Sequence, residues 1–358
     1  MPGSAGAMRN RAAQRLRRTT RRARRWLAHP FVQPGVILMY HRVVELPSDP
    51  QLLGVTPGHF AEHLDVLRRC AHPVSLERLL EGLRGGRVPG RAVAITLDDG
   101  YADNLFNAKP LLEQYDVPAT VFVAAGQLGI PREFWWDELD RLLLQPGRLP
   151  GHLRLVCSGR MHQWALEEAA VYDDAAFEHN RTWHFERPDE PGPRQRVYRS
   201  LYHLLHGMPA ADRQSLLDQL RLWAGASVEG RPSHRMLTVD EVSRLCPGPG
   251  ELITIGAHTM THPALASLPT SEQRCEIQRS KAVLEEVLRS RVAGFAYPHG
   301  SGTPETIAMV REAGFEYACS SEPDSVWANS ARFWLPRVVV RDCDGDEFAG
   351  FLNYWLGG

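Results

Sequence analysis

Short apolar runs alternate with amphipathic stretches along most of the chain. Val36-Ile-Leu-Met-Tyr-His41, bounded by Pro34-Gly35, is brief and apolar, which predicts a buried strand. From Phe60 to Cys70 apolar residues fall at 60, 64 and 67, the spacing of a helix face. Val93-Ala-Ile-Thr-Leu97 predicts another strand, followed by a helix reaching Tyr115 and a strand over 119–125. Strands over 252–257, 293–297, 316–320 and 337–341 continue the series, with helices between most of them. Thr238 with Glu241, and Thr270 with Gln273, have capping-box spacing. Thr303-Pro304 places an N-cap before a first-turn proline, and Gly314 is a stop for the helix 304–313. Strands alternating with helices predict an α/β fold around a parallel sheet, open or closed.

Residues 131–237 break that alternation. The stretch opens Phe134-Trp135-Trp136-Asp137, holds a helical run over 137–144, and predicts helices over 195–206 and 211–224 that end at Gly207 and Gly225. Leu201, Leu204 and Leu205 line one helix, and Leu216, Leu217, Leu220 and Trp223 the other. The charged, Pro-rich piece 186–194 reads as loop. The domain plan is therefore a basic tail over 1–33, one domain made of 34–130 and 238–358, and a mostly helical insertion over 131–237.

A chain of 358 residues can hold one large domain plus an insertion. Its near-neutral charge hides an asymmetry. Residues 1–30 carry nine Arg and no acid, so the remainder has 32 basic against 42 acidic residues. A mildly acidic body argues against nucleic acid as substrate. Six scattered cysteines without a C-x-x-C pair read as reduced thiols. The basic N-terminus lacks the apolar core of a secretory signal, and no run is long enough for a membrane helix, so the expectation is a cytoplasmic protein. Leu16, Ala23, Trp26 and Leu27 form a narrow apolar stripe in the Arg field. Two readings of residues 1–30 stand side by side: a helix on an anionic membrane surface, or a disordered basic tail.

Two strand ends carry the candidate chemistry. Asp98-Asp99-Gly100 follows one apolar run, and His258-Thr-Met-Thr-His262 follows Leu252-Ile-Thr-Ile-Gly-Ala257. Either cluster alone has a bland reading, a turn or a pair of surface histidines. Pro263 biases His262 out of the helical region, against a zincin-type helix. Together, two imidazoles and one carboxylate make a facial set for a divalent ion, leaving the second carboxylate free as a base.

These residues resemble a known family. Thr96-Leu97-Asp98-Asp99-Gly100-Tyr101 with Val117-Pro-Ala-Thr-Val-Phe-Val123 is similar to the first motif of the polysaccharide deacetylases, the NodB-homology carbohydrate esterases. Gly256-Ala-His258-Thr-Met-Thr-His262-Pro263 resembles their second, and Phe295-Ala-Tyr297-Pro298-His299-Gly300 a variant of their third. The resemblance covers residues 36 to 130 and 238 to 345, and it implies a distorted (β/α)7-type barrel. It implies Asp98 as base and Asp99, His258 and His262 as ligands to a divalent metal, foremost Zn²⁺.

Other positions depart from the pattern. The C-terminal Leu-x-His motif that supplies the acid in many members is missing, since His299 is the last histidine. Met39-Tyr40-His41-Arg42 instead resembles the N-terminal Tyr-His motif of the poly-N-acetylglucosamine subgroup, implying His41 as acid. Phe295 stands where most members carry an Arg that orients the base; Arg337 is the candidate replacement, with a solvated strand-edge residue as its other reading. His299 aligns with a residue whose backbone N–H helps hold the oxyanion. Tyr101, Tyr297 and Trp135 are candidate substrate contacts, while Trp135, Trp136 and Trp327 also suit core packing. His59, His63 and His72 read as surface or packing residues without acidic company. The expected activity is metal-dependent hydrolysis of N-acetyl groups on an amino sugar in a polysaccharide, lipid-linked glycan or small glycoside. The alternatives are an O-deacetylase of acetylated glycans and a non-catalytic carbohydrate-binding relative.

Overall fold

The computed structural model describes residues 34–357 apart from 86, 87, 89, 158 and 249; the basic segment 1–30 and its membrane reading lie outside the described residues. Seven parallel strands form the centre: β1 (Val36–Tyr40), β2 (Ala92–Leu97), β3 (Ala119–Val123), β4 (Ile253–Ala257), β5 (Gly294–Ala296), β6 (Tyr317–Cys319) and β7 (Val338–Val339). Their order in the sheet is β7-β1-β2-β3-β4-β5-β6. Leu38 pairs with Val338 at one end of that order, and Cys319 bridges to Leu335 at the other. The segment 335–339 thus nearly closes the ring, giving the distorted (β/α)7-type barrel.

Parallel strands covered on both faces read as continuous apolar runs, which is why they stand out in the sequence. Alternate residues go to opposite sides. Val36, Leu38, Tyr40, Val93, Ile95 and Leu97 join the core shared with the outer helices. Ile37, Ala94, Phe122, Ala296, Tyr317 and Cys319 join a second core inside the ring, where Leu76, Leu79 and Leu80 of the helix Leu76–Arg84 plug one end. Asp98 shares the parity of Ala94 and Thr96, so continuing β2 by one residue aims it inward at the open end.

The capping boxes at Thr238/Glu241 and Thr303/Thr306 form. The box expected at Thr270 does not. The helix Thr270–Leu288 begins one residue earlier than that spacing requires, with Pro269 at the N-cap. Gln273 instead donates to the Leu268 carbonyl and accepts from Thr306.

Residues 131–237 build a separate core, with Trp135, Leu139, Leu143, Leu201, Leu205, Leu216 and Leu220 among its members. Its main helices are Trp135–Leu143, Pro193–His206 and Ala210–Ala224. It also holds an antiparallel hairpin, His152–Cys157 with Arg160–Ala165, which the helical expectation omitted. Leu153 and Leu155 face this core while His152, Arg154 and Val156 face out. The two ends of the insertion meet: Gly129 N–H donates to the Leu237 carbonyl (3.0 Å) and Gly230 N–H to that of Pro131 (3.0 Å).

None of the six cysteines forms a disulfide among the described residues. No helix among the described residues is long and apolar enough to cross a membrane.

Candidate active site

The open end of the barrel gathers the strand-end residues. Asp98 follows β2, where its N–H donates to the Tyr40 carbonyl (3.0 Å). Asp99 and Gly100 then both take positive φ, 78° and 86°. This turn swings the second carboxylate away from the first. A Cβ on Gly100 would stand 3.0 Å from Val123, so glycine serves both the conformation and the close packing.

Asp99, His258 and His262 are all buried, and their candidate ligand atoms lie within 4.8 Å of one another. Asp99 Oδ1 is 3.2 Å from His262 Nε2 and 3.6 Å from His258 Nε2. His258 Nδ1 donates to the Ala296 carbonyl at 2.8 Å, which leaves the Nε2 lone pair facing Asp99. A carboxylate oxygen and imidazole lone pairs that converge in a buried space call for a cation among them, and this donor set fits a divalent ion. Thr259 and His262 have φ of 65° and 55°. The loop carrying them is held by Glu276, which accepts from Met260 N (2.8 Å), Thr261 N (2.9 Å) and Thr261 Oγ1 (2.8 Å).

Asp98 meets Arg337 side by side: Nη1 donates to Oδ1 at 2.6 Å and Nη2 to Oδ2 at 2.7 Å. Arg337 is fully buried. It enters one position before β7 and crosses the barrel interior, also donating to Thr96 Oγ1 (3.0 Å) and the Ser320 carbonyl (2.9 Å). Its guanidinium lies 5.5 Å from the Phe122 ring centre. Phe122 has room only because position 256 is glycine, where a Cβ would come within 2.3 Å of the ring. Burial pushes the Asp98 carboxyl up, but the Arg337 charge and hydrogen bonds, with His258, outweigh it and hold the carboxyl at about 2. Asp99, without such a partner, is raised by burial.

His41 sits at the end of β1, partly exposed. Burial lowers its imidazole pKa, while Asp99 and then Asp98 pull it upward. Its carbonyl accepts from Asn104 Nδ2 (2.9 Å), and the following residue, buried Arg42, pairs with Asp103 at 3.0 Å. The backbone at His41 is therefore pinned on both sides.

His299 has φ of 55° in the turn Pro298–Gly300, and its ring is 4.6 Å from that of His262. Burial, then His262 and His206, holds it well below the ordinary histidine value. His206, from the insertion, has its ring centre 4.4 Å from that of His299, with the two rings tilted by 55°. His206 escaped the sequence reading because it ends the helix Pro193–His206 directly after Leu204 and Leu205, with no spacing that sets it apart.

The three candidate substrate contacts are interior. Tyr101 is fully buried, donating to Asp137 (2.6 Å) and accepting from Trp136 Nε1 (2.9 Å). Tyr297 is fully buried and donates to the Phe333 carbonyl at 3.0 Å. Trp135 is 4% exposed and packs on Tyr202. None presents an open ring face, and neither Trp136 nor Trp327 does. His63 stacks on Phe348 in the core, whereas His59, expected to lack acidic company, bonds Asp342 at 2.8 Å.

Comparison with known proteins gives a consistent picture. A family model described as polysaccharide deacetylase matches residues 85–147 and 249–318. YxkH of Bacillus subtilis is 25% identical over 102 residues, 28% of this chain and 37% of that protein. The poly-beta-1,6-N-acetyl-D-glucosamine N-deacetylase of Staphylococcus aureus is 26% identical over 82 residues, 23% of this chain and 27% of that one. The chain thus aligns with only about a third of the length of these relatives. Among solved structures, the Streptococcus pyogenes deacetylase PplD in complex with acetate superposes with a TM-score of 0.55 at 15% identity, covering 89% of this chain and 98% of that one. IcaB from Ammonifex degensii gives 0.55 at 19% identity, covering 91% and 98%. The match to the polysaccharide deacetylase family spans both strand-end motifs, and the likeness in fold to solved deacetylases extends over nearly the whole described chain.

Proposed function

We propose that the chain is a metal-dependent hydrolase that removes N-acetyl groups from an amino sugar carried in a polysaccharide, a lipid-linked glycan or a small glycoside. The observation that carries this reading is the division of labour between adjacent carboxylates. Asp98 is held ionised by Arg337, and Asp99 is turned into the donor set of His258 and His262. Asp99, His258 and His262 would hold a divalent cation, for which we take zinc, and it would supply Lewis acidity toward the acetyl carbonyl and water.

The chain's own residues do the rest. Asp98 takes the proton of the attacking water, with both oxygens oriented by the guanidinium. The backbone N–H of His299, whose ring lies beside that of His262, is assigned as donor to the developing oxyanion. The amine leaves only when protonated as the C–N bond breaks, and His41, partly exposed at the end of β1, is assigned to deliver that proton. Acetate and the free amine result. The name of the Staphylococcus aureus relative supports an N-acetylated amino sugar.

The test is acetate release from N-acetylglucosamine oligomers with added Zn²⁺ or Co²⁺. Asp98→Asn should keep its metal while losing roughly 10²–10⁴ in rate. Release from acetylated xylan with none from amino sugars would move the reading to the ester hydrolase.

A further inference from the structure

Arg213 and Trp135 line one cleft of about 740 Å³ between the insertion and the barrel, with Thr261 of the metal-site loop in its wall. Each holds a buried donor that has no partner among the described residues, Arg213 Nη1 and Trp135 Nε1. Arg213 is 5% exposed, donates to the Thr261 carbonyl at 3.2 Å, and lies 5.7 Å over the Trp135 ring. A buried guanidinium with one neutral acceptor is costly unless something completes its shell.

No carboxylate does so. Glu276, the acid whose charge Arg213 feels, spends its oxygens on Met260 and Thr261. The acids lining the cleft are already neutralised, Glu133 by Arg231 and Glu138 by Arg132. Phe134 also lines the cleft, and its ring is 5.6 Å from that of His262. A group in the cleft therefore sits one aromatic ring away from the metal set.

We propose that this corner is an anion subsite, in which Arg213 and Trp135 receive a carboxylate or phosphate carried by the substrate. The proposal rests on the amino-sugar reading above and adds that the substrate is acidic. Charge-assisted hydrogen bonds of this kind are the strong ones, and the guanidinium fork matches both oxyanions.

Titration calorimetry on the zinc-loaded full chain tests it, with glucuronate, N-acetylglucosamine 1-phosphate and neutral N-acetylglucosamine as probes. One anionic probe should bind at least about tenfold more tightly than the neutral sugar, and which one does so separates carboxylate from phosphate. Arg213→Gln should abolish the preference while sparing the neutral sugar, and Arg213→Lys should retain part of it. Trp135→Phe, which removes the donor but keeps a ring, should weaken anion binding less than Arg213→Gln. Should Arg213→Gln fail to fold, the Lys and Phe variants carry the comparison. Equal binding of all three probes overturns the subsite. So does a preference that survives in the Gln variant, or one that vanishes when zinc is stripped, since the anion then sits on the metal. Acetate release from neutral amino sugars without an anion preference sinks the subsite alone; an anion preference without any acetate release sinks the deacetylase reading alone.

Discussion

Replacing Arg337 by methionine should convert the best-supported carboxylate of the site into a stranded one. The guanidinium makes two short bonds to Asp98 and one each to Thr96 and the Ser320 carbonyl, and Asp98 is only 2% exposed. Asp98 is held at about 2 against an ordinary 3.8. At somewhat over 1 kcal/mol per unit, that is on the order of 2 kcal/mol of stability. Because the folded value is depressed, this contribution is present above the ordinary carboxylate value and is lost as pH falls from there through about 2. Removing one member of a buried pair costs about 3–5 kcal/mol. In the variant the sign of the pH dependence reverses. Burial alone then raises Asp98, the folded state binds its proton more tightly than the unfolded chain, and stability declines as pH rises above the ordinary value. Urea unfolding of the metal-free proteins near pH 5 and near pH 8 measures both effects. The deficit should be about 3 kcal/mol or more near pH 8 and smaller near pH 5. Asp98→Asn in the variant background should recover part of it. A deficit below about 1 kcal/mol, equal at both pH values, would refute the claim that Arg337 is what keeps Asp98 ionised.

Other perturbations separate the remaining roles. His258→Ala and His262→Ala should each lose bound metal by elemental analysis and lose activity while keeping the native circular dichroism; unchanged metal content in both would remove the ligand assignment. His41→Ala should slow amide substrates far more than activated aryl esters, whose leaving groups need no proton, and equal losses would make His41 a positioning group. Deleting residues 1–30 should leave acetate release unchanged, because every proposed catalytic residue lies downstream, but should abolish sedimentation with acidic liposomes at low salt. A full-length chain that ignores such liposomes would make the segment a plain tail.

The barrel was legible because parallel strands buried on two faces must be apolar throughout, and runs such as Val93–Leu97 look like little else. The convergence of Asp99 with His258 and His262 could be anticipated from where those runs stop. The partner of Asp98 was legible only as one of two readings, since Arg337 lies 239 residues away and meets it only when the ring of strands closes. A lone Arg beside a short strand reads equally well as a solvated edge. The hairpin 152–165 did leave a period-two trace in Leu153 and Leu155, but it sits among helices whose longer spacing dominates the stretch. Aromatic residues misled in the opposite direction. Tyr101 and Tyr297 look like sugar platforms in a string of letters, yet their area is worth more in the core, where the hydroxyls of both find partners.

The neck at Gly129 and Leu237 has a consequence for how such an enzyme can be altered. Because the chain leaves and returns at hydrogen-bonded neighbours, the length of residues 131–236 is not fixed by the span between β3 and β4. The segment fills its own apolar interior, so most of its packing travels with it. It behaves as an exchangeable cassette: another loop or small domain whose ends meet the same pair of backbone groups could be grafted there without shifting the register of β3 against β4. A library built between positions 131 and 236 that keeps Phe134, His206 and Arg213, which touch His262, His299 and Thr261, would search substrates while leaving Asp98 and Arg337 where they are.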